Sequence, residues 1–187
     1  MTRILTAETE RLRLRQWLDG DLIPFRDMGS DPRVMEFFPE RLDSAASDAM
    51  AARVRGLIAE RGWGFWAVEL RRSGEFIGFT GLHVPRADLP FAPCVEIGWR
   101  LAAGHWGRGY ATEAARAALR IGFEELDLVE IVSFTAVLNR RSQAVMERLG
   151  MRRDRLGFEH PAVAEGHPLR PHVLYRLSRS AWNPAVR

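Results

Sequence analysis

A glycine-rich turn between two runs of different periodicity constrains this chain more than any other feature. Val95 to Leu101 is strand-like and largely apolar, and Gly104 to Gly109 follows it. Ala111, Ala114, Ala115, Ala118, Leu119 and Phe123 then recur at helical spacing, which predicts a helix from about Tyr110 to Glu125. Ile131 to Val137 is a continuous apolar run, the kind a buried central strand requires. Strand, turn, helix and strand in that order form a crossover, so the two strands should lie parallel.

The segments before the crossover pair differently. Glu10 to Trp17 alternates, with Leu12 and Leu14 on one side and Arg11, Arg13 and Arg15 on a solvated one, as in a half-buried strand near an edge. Asp19-Gly20-Asp21 opens a short helical stretch that ends before Asp31-Pro32. A longer helix should run from Asp43 or Ser44 to about Arg61, burying Ala49, Ala52, Val54, Leu57 and Ile58, with Gly62 as its C-cap. Phe65 to Leu70 and Phe76 to Val84 read as a hairpin about Arg72-Ser73-Gly74, and a Pro- and Ala-rich loop, Pro85 to Pro93, leads on. After the crossover, Asn139 to Leu149 is helical and closed by Gly150. Two further strands are expected near Met151 to Gly157 and Val173 to Leu177. The fold class is α/β with a mixed sheet, in one domain spanning 1–187.

Composition narrows the function. The 27 Lys+Arg residues are all arginines. With no lysine, a P-loop lysine, a kinase strand lysine and a pyridoxal Schiff base are all excluded. A pI near 9.9 with a net charge of only +3 reflects arginine chemistry, and most arginines are interleaved with acids, which argues against nucleic acid as a partner. One cysteine, Cys94, excludes an internal disulfide and a cysteine-based zinc cage. Residues 1–8 carry no apolar signal region and no stretch approaches the roughly 20 apolar residues of a membrane helix, so no membrane association and a cytoplasmic protein are expected.

At the turn, Trp106-Gly107-Arg108-Gly109-Tyr110-Ala111-Thr112-Glu113 opens a helix whose first N–H groups face a common space. Small residues let an anion approach, and the helix dipole favours it there. A tight turn without a ligand fits the same spacing. A dinucleotide crossover fits poorly, because the acid about 20 residues on, Glu130, begins the next strand rather than ending it.

This segment resembles the Gln/Arg-x-x-Gly-x-Gly/Ala signature of the Gcn5-related N-acetyltransferases, with Trp106 at the first position. The form Trp-Gly-x-Gly-Tyr-Ala-Thr-Glu is similar to the subgroup that includes the ribosomal-protein N-terminal acetyltransferases. Thr9-Glu10-Arg11-Leu12-Arg13-Leu14-Arg15, Glu96-Ile97-Gly98-Trp99-Arg100-Leu101, Asn139-Arg140-Arg141-Ser142 and Leu149-Gly150-Met151 agree in order. The resemblance implies a mostly antiparallel central sheet with a splayed parallel strand pair and helices on both faces. It implies acetyl-CoA as co-substrate with no metal, and an amine acceptor, either a protein N-terminus or a small molecule. It leaves a homodimer open.

Carried onto this sequence, the resemblance places the CoA diphosphate on the amides of Gly107, Arg108, Gly109, Tyr110, Ala111 and Thr112. The pantetheine arm pairs with the backbone around Trp99 and Leu101, and Asn139 contacts it, besides being a favoured N-cap. Glu96 is the candidate general base, in an apolar run that would raise its pKa; a carboxylate paired with an arginine is the plainer alternative. The tyrosine that many members use for the leaving group is replaced by Met146, which leaves Ser142 as the candidate partner of the CoA sulfur, or merely a helix-start residue. Cys94 has no neighbouring histidine to activate it. His160, His167 and His172 match no common ligand spacing and point to a solvated or substrate-facing loop. Phe37 and Phe38, Trp63 to Trp66 and the loop Phe158 to Pro171 are candidate acceptor walls, and Arg155 and Arg170 candidate contacts to an acidic acceptor. A non-catalytic CoA-binding module on the same fold remains the rival reading.

Overall fold

The computed structural model describes residues 2–85 and 88–183, so the outermost residues of the expected 1–187 domain and part of the Pro85 to Pro93 loop lie outside the described residues. Among the described residues nine strands, β1 (Ala7–Glu8), β2 (Leu12–Arg15), β3 (Phe65–Leu70), β4 (Phe76–His83), β5 (Glu96–Leu101), β6 (Glu130–Ala136), β7 (Arg152–Arg153), β8 (Phe158–Glu159) and β9 (Pro171–Ser178), form one sheet. Its order is β1-β2-β3-β4-β5-β6-β9-β7, with β8 also paired to β9. All pairs are antiparallel except β5 (Glu96–Leu101) with β6 (Glu130–Ala136).

The first strand is shorter than the alternation predicts. It is β2 (Leu12–Arg15), and a further short strand ahead of it, β1 (Ala7–Glu8), pairs antiparallel with it and forms the edge. Leu12 and Leu14 are fully buried as expected. The arginine side of β2 is not simply solvated, and this corrects the sequence reading. Arg15 donates to both oxygens of buried Asp21 and to Glu69, whose other oxygen accepts from Arg13. Burial of these carboxylates is tolerable because each is paired.

Asp19–Asp21 makes a 3-10 turn leading into α1 (Leu22–Ser30). α2 (Ser44–Arg61) begins where Asp43 accepts a hydrogen bond from the Ala46 amide and ends at Gly62, left-handed at φ 84°. Its buried stripe is Ser47, Ala51, Val54 and Ile58; Ala49 and Ala52 are exposed, so the predicted face was rotated by part of a turn. Alanine spacing cannot fix a helix phase when nearly every position is small.

β3 (Phe65–Leu70) and β4 (Phe76–His83) form the predicted hairpin. α1 lies on one face, Phe25 packing edge-on against Phe79 of β4 and against Trp17. α3 (Tyr110–Arg120) packs on β4 and β5 and continues as one wider, π-type turn, Ile121–Glu125. α4 (Arg140–Arg148) returns the chain to β7 (Arg152–Arg153), β8 (Phe158–Glu159) and β9 (Pro171–Ser178). The strand expected near Met151 to Gly157 thus reduces to two residues, and β8 was not foreseen. No helix among the described residues is long and apolar enough to cross a membrane.

Candidate active site

β5 and β6 meet at a single register pair, Glu96 with Val132, and then diverge. The Val132 amide donates to the Val95 carbonyl at 3.0 Å. Beyond it the buried Ser133 hydroxyl takes the Ile97 carbonyl, a group that would otherwise lack a partner where the strands part. On the other side of β5 the Ala102 amide donates to the Ile77 carbonyl, and the β4–β5 register pairs Arg100 with Phe79 and Gly98 with Gly81. Alternation along the strand therefore turns the main-chain groups of Ile97, Trp99 and Leu101 toward the divergence.

A cleft of about 1940 Å³ opens there. It is lined by Glu96, Trp99, Leu101, Trp106, Gly107, Gly109, Tyr110, Ala111, Thr112, Asn139 and Ser142; Arg108, exposed on the turn, lies outside the lining. Phe37, Phe38 and Phe65 also line it, whereas Trp66 is a core residue whose indole donates to the Leu5 carbonyl. His160 and His172 border the cleft, their rings 4.7 Å apart, and burial lowers the pKa of both. Arg170 pairs with Glu159, and Arg155 is exposed. No group of side chains suited to a metal ion occurs among the described residues.

The glycine turn explains the mouth of the cleft. Gly107 and Gly109 have φ of 73° and 81°, a left-handed backbone that L residues resist. This curls the chain so that the amides of residues 107 to 112 find no acceptor among the described residues; the first amide engaged is that of Glu113, to Gly109. Six consecutive N–H groups left without an acceptor at a helix N-terminus could hold an anion such as a diphosphate. The Trp106 indole donates to the Leu101 carbonyl at 2.8 Å, closing the turn onto the end of β5.

Two motifs that looked unrelated in the sequence hold this turn. The Glu113 carboxylate accepts from the Thr9 hydroxyl, the Arg11 amide and the Arg11 guanidinium. The same guanidinium donates to the Arg108 carbonyl and lies 4.6 Å from the Tyr110 ring centre. Burial pushes the Glu113 carboxyl up, but the hydrogen bonds from Thr9 and Arg11 outweigh it, and its pKa is lowered.

Glu96 sits where the strands part. Its carboxylate has no hydrogen bond or ion pair among the described residues, and burial raises its pKa to about 7. Asn139 caps α4, its Oδ1 accepting from the Ser142 amide at 3.1 Å, while its Nδ2 donates to Thr135. Cys94 lies outside the cleft lining, and burial raises its pKa, which makes it a poor nucleophile. Sequence reasoning missed the arginines that α3 and α4 bring to the cleft, Arg116, Arg120, Arg140 and Arg148, and missed Arg100 on β5.

A wedge in a sheet, leading from uncommitted amides to a carboxylate of raised pKa, suits a carrier with a diphosphate at one end and an acyl group at the other. The class so defined is the acyl-CoA-dependent transferases. A model of the acetyltransferase (GNAT) domain matches residues 11–152, and the chain belongs to that family. The uncharacterized N-acetyltransferase YnaD of Bacillus subtilis (strain 168) is 29% identical over 176 residues, 94% of this chain and 98% of YnaD. The FsC-acetyl coenzyme A-N(2)-transacetylase of Aspergillus fumigatus is 35% identical over 118 residues, 58% of this chain and 48% of that protein. Among solved structures, the acetyltransferase from Agrobacterium tumefaciens str. C58 superposes with a TM-score of 0.74 at 34% identity, covering 95% of this chain and 96% of that one. The protein is thus an acetyltransferase, of a family whose co-substrate is acetyl-CoA.

Proposed function

We propose that the whole chain acts as one cytoplasmic N-acyltransferase domain that transfers acetyl directly to a primary amine, with both substrates bound together. The amides of residues 107 to 112 hold the diphosphate, and Trp99 and Leu101 present main-chain groups to the pantetheine arm. The thioester supplies the acetyl group; this chain's residues orient it and manage the protons.

The observation that carries the reading is Glu96. An ordinary carboxylate is too weak a base for an ammonium at neutral pH, whereas one of pKa about 7 is matched to the task. It accepts the proton of the acceptor's ammonium, directly or through water, and the freed amine attacks the carbonyl. N–H groups of β5 that face the divergence stabilise the oxyanion. The departing thiolate meets the Ser142 hydroxyl at the first turn of α4. That YnaD is an N-acetyltransferase by name and the Aspergillus relative an N(2)-transacetylase supports nitrogen as the accepting atom. A protein N-terminus and a small amine both fit a cleft of this size.

The test is Glu96→Gln assayed with acetyl-CoA and a panel of amines. Wild-type kcat/KM should rise with pH through about 7 as Glu96 ionises. The variant should lose this limb and fall about 100-fold or more near neutrality, within the usual contribution of a general base, with acetyl-CoA affinity retained. An unchanged pH profile would remove Glu96 as base. Binding of acetyl-CoA without turnover of any amine would favour a non-catalytic module.

A further inference from the structure

Arg100 carries a charge that no acidic side chain among the described residues answers. It lies on β5 two places beyond Gly98 and four beyond Glu96, on the same side of the strand, and opposite Phe79 of β4. Its guanidinium carbon is 4.1 Å from the centre of the Phe38 ring and 5.4 Å from that of Phe79. Nε and Nη1 are buried and have no hydrogen-bond partner among the described residues. Burial lowers the guanidinium pKa to about 10, with no carboxylate to oppose it. Arg141, which lies over Phe37, is by contrast paired with Glu36.

The two rings attract the cation through their faces but accept nothing from N–H groups that point outward in the guanidinium plane. Stranded buried donors are costly. What completes them is a planar oxyanion, a carboxylate or phosphate fork. The side chain lines the cleft together with Glu96, Gly98, Phe38 and Phe65. The carrier's phosphate cradle is built instead at the start of α3, and the other cleft arginines lie on α3 and α4 or, like Arg11, beside that turn. Arg100 is therefore placed to serve the other substrate.

Resting on the transfer reading above, we propose that Arg100 binds a carboxylate of the amine acceptor. Four strand residues separate the α-carbons of Glu96 and Arg100 by about 13 Å. An amine that gives its proton to Glu96 while its own anion reaches Arg100 must span past Gly98. That favours an ω-amino acid, or a short peptide with an acidic group beyond its first residue, over an α-amino acid, whose amine and carboxylate share one carbon.

The probes are ω-aminoalkanoates of three to eight carbons and the matching ω-amino amides, with acetyl-CoA as donor. Wild type should favour acid over amide by about 10-fold or more in kcat/KM at the best chain length, the range of a hydrogen-bonded charge pair. Arg100→Met, an apolar chain of similar reach, should bring that ratio to about 1, and Arg100→Lys should restore part of it through KM. Titration of 6-aminohexanoate into the CoA-bound protein reads the same contact without turnover, and binding lost in Arg100→Met supports the site. Were every amine refused as acceptor while that binding held, the transfer reading alone would fall. A wild type indifferent to the carboxylate in both measurements, or an Arg100→Met variant that loses acetyl-CoA affinity instead, overturns the proposal.

Discussion

Glu96 shows how one side chain couples activity to stability. Its ordinary carboxylate pKa is 4.5 and its folded value is about 7. Between these values the folded protein holds a proton that the unfolded chain has released, so stability falls as pH rises through this window. Glu96→Gln removes the penalty. Its melting temperature should exceed that of wild type at pH 8, and the two should converge below pH 4.5, as read by thermal denaturation across pH. A variant no more stable at pH 8 would show that the raised value is not intrinsic to the fold. Glu96 was legible in the sequence because it is an acid in the apolar strand that runs into the glycine-rich turn. Asn139 was legible too, although its cap role could not be told from a ligand role; the geometry shows the cap, with one Nδ2 hydrogen uncommitted. Arg100 was not legible. An arginine in an alternating strand looks solvated until the residues facing it, Phe38 and Phe79, are brought together from distant segments.

The start of α3 is an element whose shape depends on residues outside it. Gly109 needs a left-handed φ of 81°, and a β-carbon there would stand 3.5 Å from Arg11 Nη2, an ordinary contact. The cost of Gly109→Ala is therefore conformational, about 1 kcal/mol. Relaxing that strain turns the amides aside, and acetyl-CoA affinity should drop about 10-fold by calorimetry, a loss of roughly one hydrogen bond to a charged group. Unaltered affinity would mean that the cradle does not need this backbone. Glu113 holds the turn from below. Its folded pKa is lowered, so its stabilising effect is complete above the usual carboxylate range and disappears as pH falls through the folded value. Glu113→Gln should be less stable than wild type at pH 7, and the gap should close in acid, as measured by urea denaturation from pH 3 to 7. The sequence displayed Thr9, Arg11 and Glu113 as separate motifs. Their mutual bonding was hidden because about a hundred residues separate them.

At the scale of the molecule, two of the strand pairings followed from local signals: the β3–β4 hairpin from its turn at Gly74, and the parallel β5–β6 pair from a crossover helix between two apolar strands. The end of the chain was less legible, because β7 and β8 are two residues each and present no alternation to read. The Arg13–Arg15–Glu69–Asp21 network was likewise unreadable, since it joins three elements whose adjacency only the fold creates.

The single β5–β6 register pair has a consequence for how the two halves of the sheet cohere. Past Glu96 the ladder has missing rungs, and the main-chain groups of Trp99 and the amide of Leu101 stand ready on one upright, the Leu101 carbonyl being held by Trp106. An amide-bearing carrier arm that fills the gap would act as a removable strand, so the substrate itself would finish the sheet. Hydrogen exchange should then slow at the Trp99 and Leu101 amides when CoA binds, with little change at Arg100, whose amide already points to β4. Equal exchange at Trp99 and Leu101 with and without CoA would mean that the arm runs elsewhere.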